Sequence, residues 1–263
     1  MGNEIFMLLE KKNIIVVGGT SGIGKSAVKA FMNEGAFLTV IGRNSKKLSD
    51  AKALFGNNGI TIEGDASNPE TINIAIKQAV EKFGDVHGLY HIAGGSGRNK
   101  GDGPVHEVTD EAWDYTISIN LDSIFYSNRA VIKQFINQGQ GGTILNISSV
   151  LGFSPSSKYF STHAYACTKA AVIGLSKSLA SYYSIYNIRI NVISPGLIAT
   201  PMSERAQSDN EIISYIQKKQ SLDGGRIGEA VDLDGAAIYF MSDKSIFTTG
   251  QVLSIDGGWT VNG

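Results

Sequence analysis

The sequence predicts one α/β domain: a doubly wound, seven-stranded parallel sheet with helices on both faces. Three observations predict it. Seven short runs rich in β-branched residues alternate with helical patterns, as strand–helix–strand crossovers require. Seven strands with helices between them imply a parallel sheet covered on both faces. No internal repeat, low-complexity segment or linker divides the 263 residues, a length that supports one large core.

The elements follow in order along the chain. Residues 13–17 read as a buried strand, and 24–34 as a helix stopped at Gly35. The next strand is 37–41, followed by a helix over 45–55 that ends at Gly56. A third strand at 59–63 precedes Asn68, which caps a helix with Pro69 in its first position; that helix runs to Phe83 and closes at Gly84. Residues 88–93 form a fourth strand and 94–104 a glycine-laden loop. One long helix over 110–138 leads to a strand at 143–147. A helix over 162–186 precedes a strand at 189–193. Helices near 210–219 and 231–241 and a last strand at 251–255 complete the series. Right-handed crossovers then wind the sheet both ways from its centre.

Composition excludes several classes of function. Apolar residues are 42% and charged residues 18%, below the usual share of about 25%. That excludes a disordered chain and is compatible with surface buried between subunits. The balance of 23 basic and 24 acidic residues carries no basic footprint, so no nucleic-acid partner is expected. Cys167 is the single cysteine and the four histidines are scattered, so neither a disulfide nor a metal site is expected. The apolar run at 5–9 has no basic region before it and does not read as a signal peptide. Gly2 is followed by Phe6 where myristoylation needs Ser or Thr. No run approaches the ~20 residues of a membrane span. A soluble, cytoplasmic protein with no membrane partner is expected.

Glycine is abundant, 31 residues, and its placement carries chemistry. Gly18-Gly19-Thr20-Ser21-Gly22-Ile23-Gly24 joins the first strand to the first helix. A pyrophosphate needs close backbone and a helix N-terminus with free N–H groups, and this turn offers both. Gly22-x-Gly24-x-x-Ala27 fits the Rossmann dinucleotide fingerprint with Ala last. A second such spacing, Gly97, Gly101 and Gly103, runs into Asp102 and Pro104 and reads as a flexible loop. At the end of the second strand an acid would accept from a ribose 2′-hydroxyl; Gly42-Arg43 stands there instead. Arg43 is either a solvated strand-end charge or a partner for a 2′-phosphate or adenine. The second reading is preferred, so NADP(H) is expected ahead of NAD(H). Asp65 either accepts from the adenine amine or caps the following helix.

Tyr165 and Lys169 lie at i and i+4 on one helix face. An ammonium beside a phenol favours phenolate and brings its proton within reach of acid–base work. Tyr215 and Lys219 repeat the spacing, but among Gln217, Lys218 and Gln220 they read as a solvated face. Ser148-Ser149 ends the strand before Tyr165; Ser149, further out, can donate to a carbonyl oxygen as charge develops, while Ser148 faces backbone or cofactor.

In this order these residues resemble the short-chain dehydrogenase/reductase family, in its compact single-domain branch. The likeness spans nearly the whole chain: Gly18-x-x-x-Gly22-Ile23-Gly24, Asp65, Ile119-Asn120-Leu121, Asn146-Ile147-Ser148-Ser149, Tyr165-x-x-x-Lys169, Pro195-Gly196-x-x-x-Thr200 and Asp256-Gly257-Gly258. The resemblance implies a catalytic tetrad of Asn120, Ser149, Tyr165 and Lys169. It gives Lys169 a bond to the nicotinamide ribose and Asn120 a water feeding a proton relay. It implies a cofactor site completed by Thr20, Ser21, Ala66, Ala93, Gly94, Pro195 and Gly196, with Ile198 and Thr200 lining the nicotinamide. It also implies a small carbonyl or alcohol substrate, reversible hydride transfer, and a homotetramer or dimer joined through the long helices and the last strand.

Three departures from the family pattern stand out. Val17 replaces a usual Thr. His91-Ile92-Ala93-Gly94 replaces Asn-Asn-Ala-Gly, with His91 a core substitute. The segments 94–107 and 153–163 are long. Phe153, Tyr159, Phe160, Leu197 and Met202 are expected to line an apolar substrate pocket, with a lid over about 200–222. Arg98 and Lys100 either are solvated, the preferred reading, or reach an anionic tail. Two rival functions are a module sensing NADP(H) without turnover and a nucleotide-sugar epimerase or dehydratase. The filled tetrad opposes the first. The second needs a further C-terminal domain for which this length leaves no room.

Overall fold

The apolar runs form seven strands: β1 (Asn13–Val17), β2 (Phe37–Gly42), β3 (Gly59–Glu63), β4 (Gly88–His91), β5 (Gly142–Ile147), β6 (Ile188–Pro195) and β7 (Val252–Ile255). Every pair is parallel and the order across the sheet is β3-β2-β1-β4-β5-β6-β7. The computed structural model describes residues 7–262; Gly2 and the beginning of the 5–9 run lie outside the described residues.

Helices α1 (Gly22–Asn33), α2 (Ser45–Phe55), α3 (Pro69–Phe83), α4 (Asp110–Ile117), α5 (Ser123–Gln138), α6 (His163–Tyr183), α7 (Glu204–Ser208), α8 (Asn210–Lys219) and α9 (Asp234–Met241) connect the strands. One core packs α1, α2 and α9 against the sheet through Phe31, Leu48, Tyr90 and Phe240. The other packs α3, α5 and α6 on the opposite face through Ile72, Ile132, Phe135 and Ala180. β1 is buried along its whole length because both cores use it, its residues pointing alternately to each. Helix starts fall where capping chemistry sets them: Asn44 accepts from Lys47 N at 2.9 Å and Thr109 from Ala112 N at 3.2 Å.

Three boundaries differ from the sequence reading for identifiable reasons. β4 stops at His91 because Ile92 N and Ala93 N both donate to Val17 O, at 2.9 Å, and turn the chain off the ladder. The expected helix over 110–138 contains a π-helical turn, Ser118–Asp122, between α4 and α5. The segment 94–104 is pinned rather than loose. Asp102, only 3% exposed, accepts from Ala164 N and Tyr165 N at the start of α6. Strand order reverses between β1 and β4, so a crevice opens at their carboxyl ends, where ligands bind in sheets of this kind.

Candidate active site

That crevice has a volume of about 920 Å³ and runs along the carboxyl edge from Arg43 and Asp65 to Tyr165 and Trp259. Its floor is the glycine turn. Gly18 has φ +87°, and a Cβ there would lie 2.7 Å from Ala93 N, so the two backbones meet with no side chain between them. Ser21 precedes α1 in an extended conformation and makes no capping bond, and no acid stands in the first turn. The leading N–H groups of α1 therefore have no side-chain acceptor, and Gly22 and Ile23 border the crevice. A dinucleotide pyrophosphate fits this cradle. Thr200, at the far lip, stacks its methyl where a Gly22 Cβ would be, 3.0 Å away.

At the outer end, Arg43 Nη1 lies 3.7 Å from Asp65 Oδ2, both side chains well exposed. Asp65 Oδ1 also accepts from Ser67 N at 2.9 Å and Ser67 Oγ at 2.7 Å. Burial pushes the Asp65 carboxyl up, but the Ser67 hydrogen bonds and the Arg43 charge outweigh it and hold it below the ordinary value. The two residues that the sequence offers for the adenosine end of a dinucleotide thus form one ion pair. Gly42 leaves the space next to it to the Thr20 methyl, 2.7 Å from where a Cβ would stand.

At the inner end, α6 and the end of β5 meet. Lys169 is 3% exposed; its Nζ donates to Ile147 O at 3.0 Å and lies 5.4 Å from the Tyr165 ring centroid. Tyr165 and Ser149 border the crevice together, and Ser149 Oγ accepts from Leu151 N at 3.2 Å. Ser148 Oγ donates to Lys169 O at 2.7 Å, a backbone partner, one of the two alternatives expected of it. Burial pulls the Lys169 ammonium down to about 8. Burial also pushes the Tyr165 phenol up to about 12, the neighbouring Ser149 hydroxyl offsetting only part. Loss of water is the largest cause of both shifts, and Lys169 stands over the ring with a carbonyl as its hydrogen-bond partner.

Asn120 lies in the π-helical turn, fully buried. Its Nδ2 donates to Thr116 O at 2.9 Å and Gly95 O at 2.8 Å, and its Oδ1 accepts from Gly95 N at 3.1 Å. The side chain clamps the chain just after Ala93 and Gly94. His91, also fully buried, lies 2.7 Å through Nδ1 from Ser127 Oγ; burial first, then the Lys169 charge, pulls it down to about 3, so it is a neutral core residue. Asn146 pairs with Asn128 amide to amide at 3.0 Å and bridges β5 to α6 through Ser176.

Of the expected substrate wall, Phe160, Leu197 and Met202 border the crevice with Pro195, Gly196 and Ile198. Phe153 and Tyr159 do not. Phe153 is 47% exposed elsewhere, and Tyr159 packs on Tyr215 with centroids 5.3 Å apart while its hydroxyl donates to Glu211. Tyr215 is not a solvated face: α8 buries Ile212 and Ile216 beneath it, and its ring meets Trp259 edge-on at 5.8 Å. Trp259 went unread in the sequence. It is buried at the crevice, its Nε1 donating to Ser154 O at 3.1 Å. The glycine pair Gly257-Gly258, both at positive φ, is the local sign that the chain turns back there.

Comparisons with known proteins agree with this fold. The sequence model of the family described as enoyl-(acyl carrier protein) reductase matches residues 17–260. L-rhamnose-1-dehydrogenase of Scheffersomyces stipitis is 34% identical over 262 residues, 97% of this chain and 98% of that protein. The NADP-dependent (R)-specific alcohol dehydrogenase of Lentilactobacillus kefiri is 32% identical, over 96% of this chain and 98% of its own. The structure of a short-chain type dehydrogenase/reductase from Mycobacterium ulcerans superposes with a TM-score of 0.87 at 30% identity, covering 97% of this chain and 91% of that one.

Proposed function

The chain belongs to the short-chain dehydrogenase/reductase family, whose dehydrogenases use NAD(P), and on that premise we propose that it interconverts a secondary alcohol and its carbonyl with NADP(H). The observation that carries this reading is the convergence of Tyr165, Ser149 and buried Lys169 at the inner end of the crevice. Residues Gly18 to Gly24 would hold the pyrophosphate, Arg43 a 2′-phosphate, Asp65 and Ala66 the adenine side, and Ala93, Gly94, Pro195, Gly196, Ile198 and Thr200 the remainder. A bound nicotinamide supplies or accepts the hydride.

The chain's own residues do the rest. In reduction, Tyr165 gives its phenolic proton to the carbonyl oxygen, Ser149 donates a hydrogen bond to that oxygen, and the Lys169 charge stabilises the phenolate left behind. In oxidation the same phenolate takes the hydroxyl proton back. Asn120 fixes the loop beside the reacting centre through Gly95. The segment 200–222, carrying α7 and α8, would serve as the substrate lid. Among the described residues no helix is long and apolar enough to cross a membrane. Exposed Phe125 on α5, Tyr182 on α6 and Phe247 before β7 are the natural contacts of a homotetramer or dimer.

The test is a panel of ketones and secondary alcohols run with NADPH, NADH and their oxidised forms. Turnover with a preference for the phosphorylated cofactor, lost in Arg43→Ala, is the expected result. A preference for the unphosphorylated cofactor overturns the role given to Arg43.

A further inference from the structure

The crevice carries charge at both ends, and the two ends differ. At the outer end Arg43 is answered by Asp65. At the inner end Arg98 and Lys100 enter from the loop after β4, and Arg205 enters from α7 on the opposite lip. Among the described residues none of these three makes an ion pair. Each instead leans on a neutral group or on none. Arg205 Nη2 donates to Tyr159 O at 3.0 Å, and Lys100 Nζ stands 5.9 Å over the Tyr115 ring. The half-buried Arg98 guanidinium has no hydrogen-bond partner among the described residues. Of the described acids bordering the crevice, Asp65 is paired and Glu204 is exposed beside Arg205. Asp102 lies near Arg98, but both its oxygens are held by N–H groups of α6.

These charges are set in place by the backbone. Arg98–Lys100 is a single 3-10 turn between two residues in the left-handed region, Gly97 at φ +69° and Gly101 at φ +101°. A Cβ on Gly97 would strike the Thr116 side chain and lie 2.9 Å from Asp102 Cβ, so the turn is packed and not a loose surface loop. Partial burial and the Arg205 charge both pull the Arg98 guanidinium down, with Asp102 opposing. Of the three, Arg98 is half-buried while Lys100 and Arg205 are exposed, and a guanidinium fork matches an oxyanion in shape as well as in sign. The cofactor's pyrophosphate has its own cradle at the start of α1, so these cations are left for the other reactant.

We propose that Arg98 and Arg205, supported by Lys100, bind an oxyanion on the substrate itself, a carboxylate or a phosphate, so that the chain acts on hydroxy acids or hydroxyalkyl phosphates ahead of neutral alcohols. The proposal rests on the hydride-transfer reading above and names its substrate class. The packed turn under Arg98 holds its backbone in place, so the gain is expected in KM.

Three matched pairs test it: gluconate with sorbitol, lactate with propylene glycol, and glycerol phosphate with glycerol. Each is assayed for nicotinamide reduction and titrated calorimetrically into the cofactor-loaded protein. The expected result is a preference for the anion in at least one pair. In that pair Arg98→Ala and Arg205→Ala raise the anion's KM and Kd by about 10- to 100-fold and leave the neutral partner and the cofactor unaffected, with Arg98→Lys intermediate. The gluconate and lactate arms report a carboxylate site and the glycerol phosphate arm a phosphate site. Equal binding and turnover of both members in every pair overturns the proposal, as does a loss of cofactor affinity in Arg98→Ala, which would give these charges to the cofactor. Anion binding that Arg98→Ala abolishes, with no nicotinamide reduction by any pair, upholds the anion site and overturns the hydride-transfer reading instead.

Discussion

Asp102 holds Tyr165 by its backbone: one carboxylate oxygen accepts Tyr165 N at 2.9 Å and the other accepts Ala164 N at 3.0 Å. Thr162, at the N-cap position of α6, makes no side-chain capping bond. A residue some sixty positions upstream (the separations are 62 and 63) therefore caps the helix that carries Tyr165 and Lys169. The loop bearing Arg98 and Lys100 and the helix bearing Tyr165 and Lys169 are joined by these bonds. Asp102→Ala is expected to lose about 1–3 kcal/mol, a cap plus two buried donors left unpaired. Asp102→Asn keeps one acceptor and should lose about half as much. In urea denaturation the order is wild type, Asn, Ala, and kcat should fall in the same order while cofactor affinity holds. Equal kcat in all three proteins would separate the cap from catalysis.

The two tyrosine–lysine pairs give a direct contrast. Tyr165→Phe removes the proton donor and should cut turnover by about 10²–10⁴-fold while cofactor binding, followed by fluorescence titration, persists. Tyr215→Phe keeps the ring that packs on Tyr159 and Trp259 and removes a hydroxyl outside that packing. Its kcat and KM should stay within about twofold of wild type. Comparable losses from both changes would reject the assignment of Tyr165.

Most of the fold was legible because short β-branched runs alternating with helical patterns are what a parallel sheet with crossover helices requires, and all seven strands fell in such runs. Local chemistry also set helix starts, as at Asn68 with Pro69. What stayed hidden was long-range. Asp102 looks like a turn acid in a glycine loop, and nothing nearby in the chain announces that it caps α6. Tyr215 sits in a polar stretch, yet two isoleucines of the same helix, Ile212 and Ile216, turn it inward against Trp259. Phe153 and Tyr159 have the right composition for a pocket wall, but composition carries no direction. The π-helical turn at Asn120 had no sequence sign either. Its role emerges only when the side chain is seen holding Gly95.

The opposed shifts at the inner end predict an asymmetric pH dependence. Burial keeps the Tyr165 phenol up at about 12 and the Lys169 ammonium down at about 8. Carbonyl reduction needs the protonated phenol and should be flat from neutral pH into the alkaline range. Alcohol oxidation needs phenolate, so its kcat/KM should climb about tenfold per pH unit below the phenol pKa. Near pH 8 Lys169 loses the charge that supports phenolate, and the climb should bend. Profiles taken in both directions check this. Lys169→Met should lower the oxidation profile and remove the bend; a bend that survives would assign it to another group.

His91 predicts where acid destabilises the fold. Burial, helped by the Lys169 charge, holds its folded-state pKa at about 3, against 6.5 for the ordinary side chain. Between those values the unfolded chain binds a proton that the folded protein refuses, so stability falls as pH drops through that window and is fully present above it. The slope from this one group approaches about 1.4 kcal/mol per pH unit. His87, half-buried and also held below its ordinary value, adds a smaller slope of the same sign. His91→Asn removes the titrating ring yet keeps a hydrogen-bonding side chain beside Ser123 and Ser127, both close to the imidazole. Urea midpoints measured from pH 7 down to pH 4 should therefore decline less steeply in His91→Asn than in wild type, with the curves converging at low pH. Parallel curves would mean that acid reaches the fold through another group and that the buried imidazole titrates in its ordinary range.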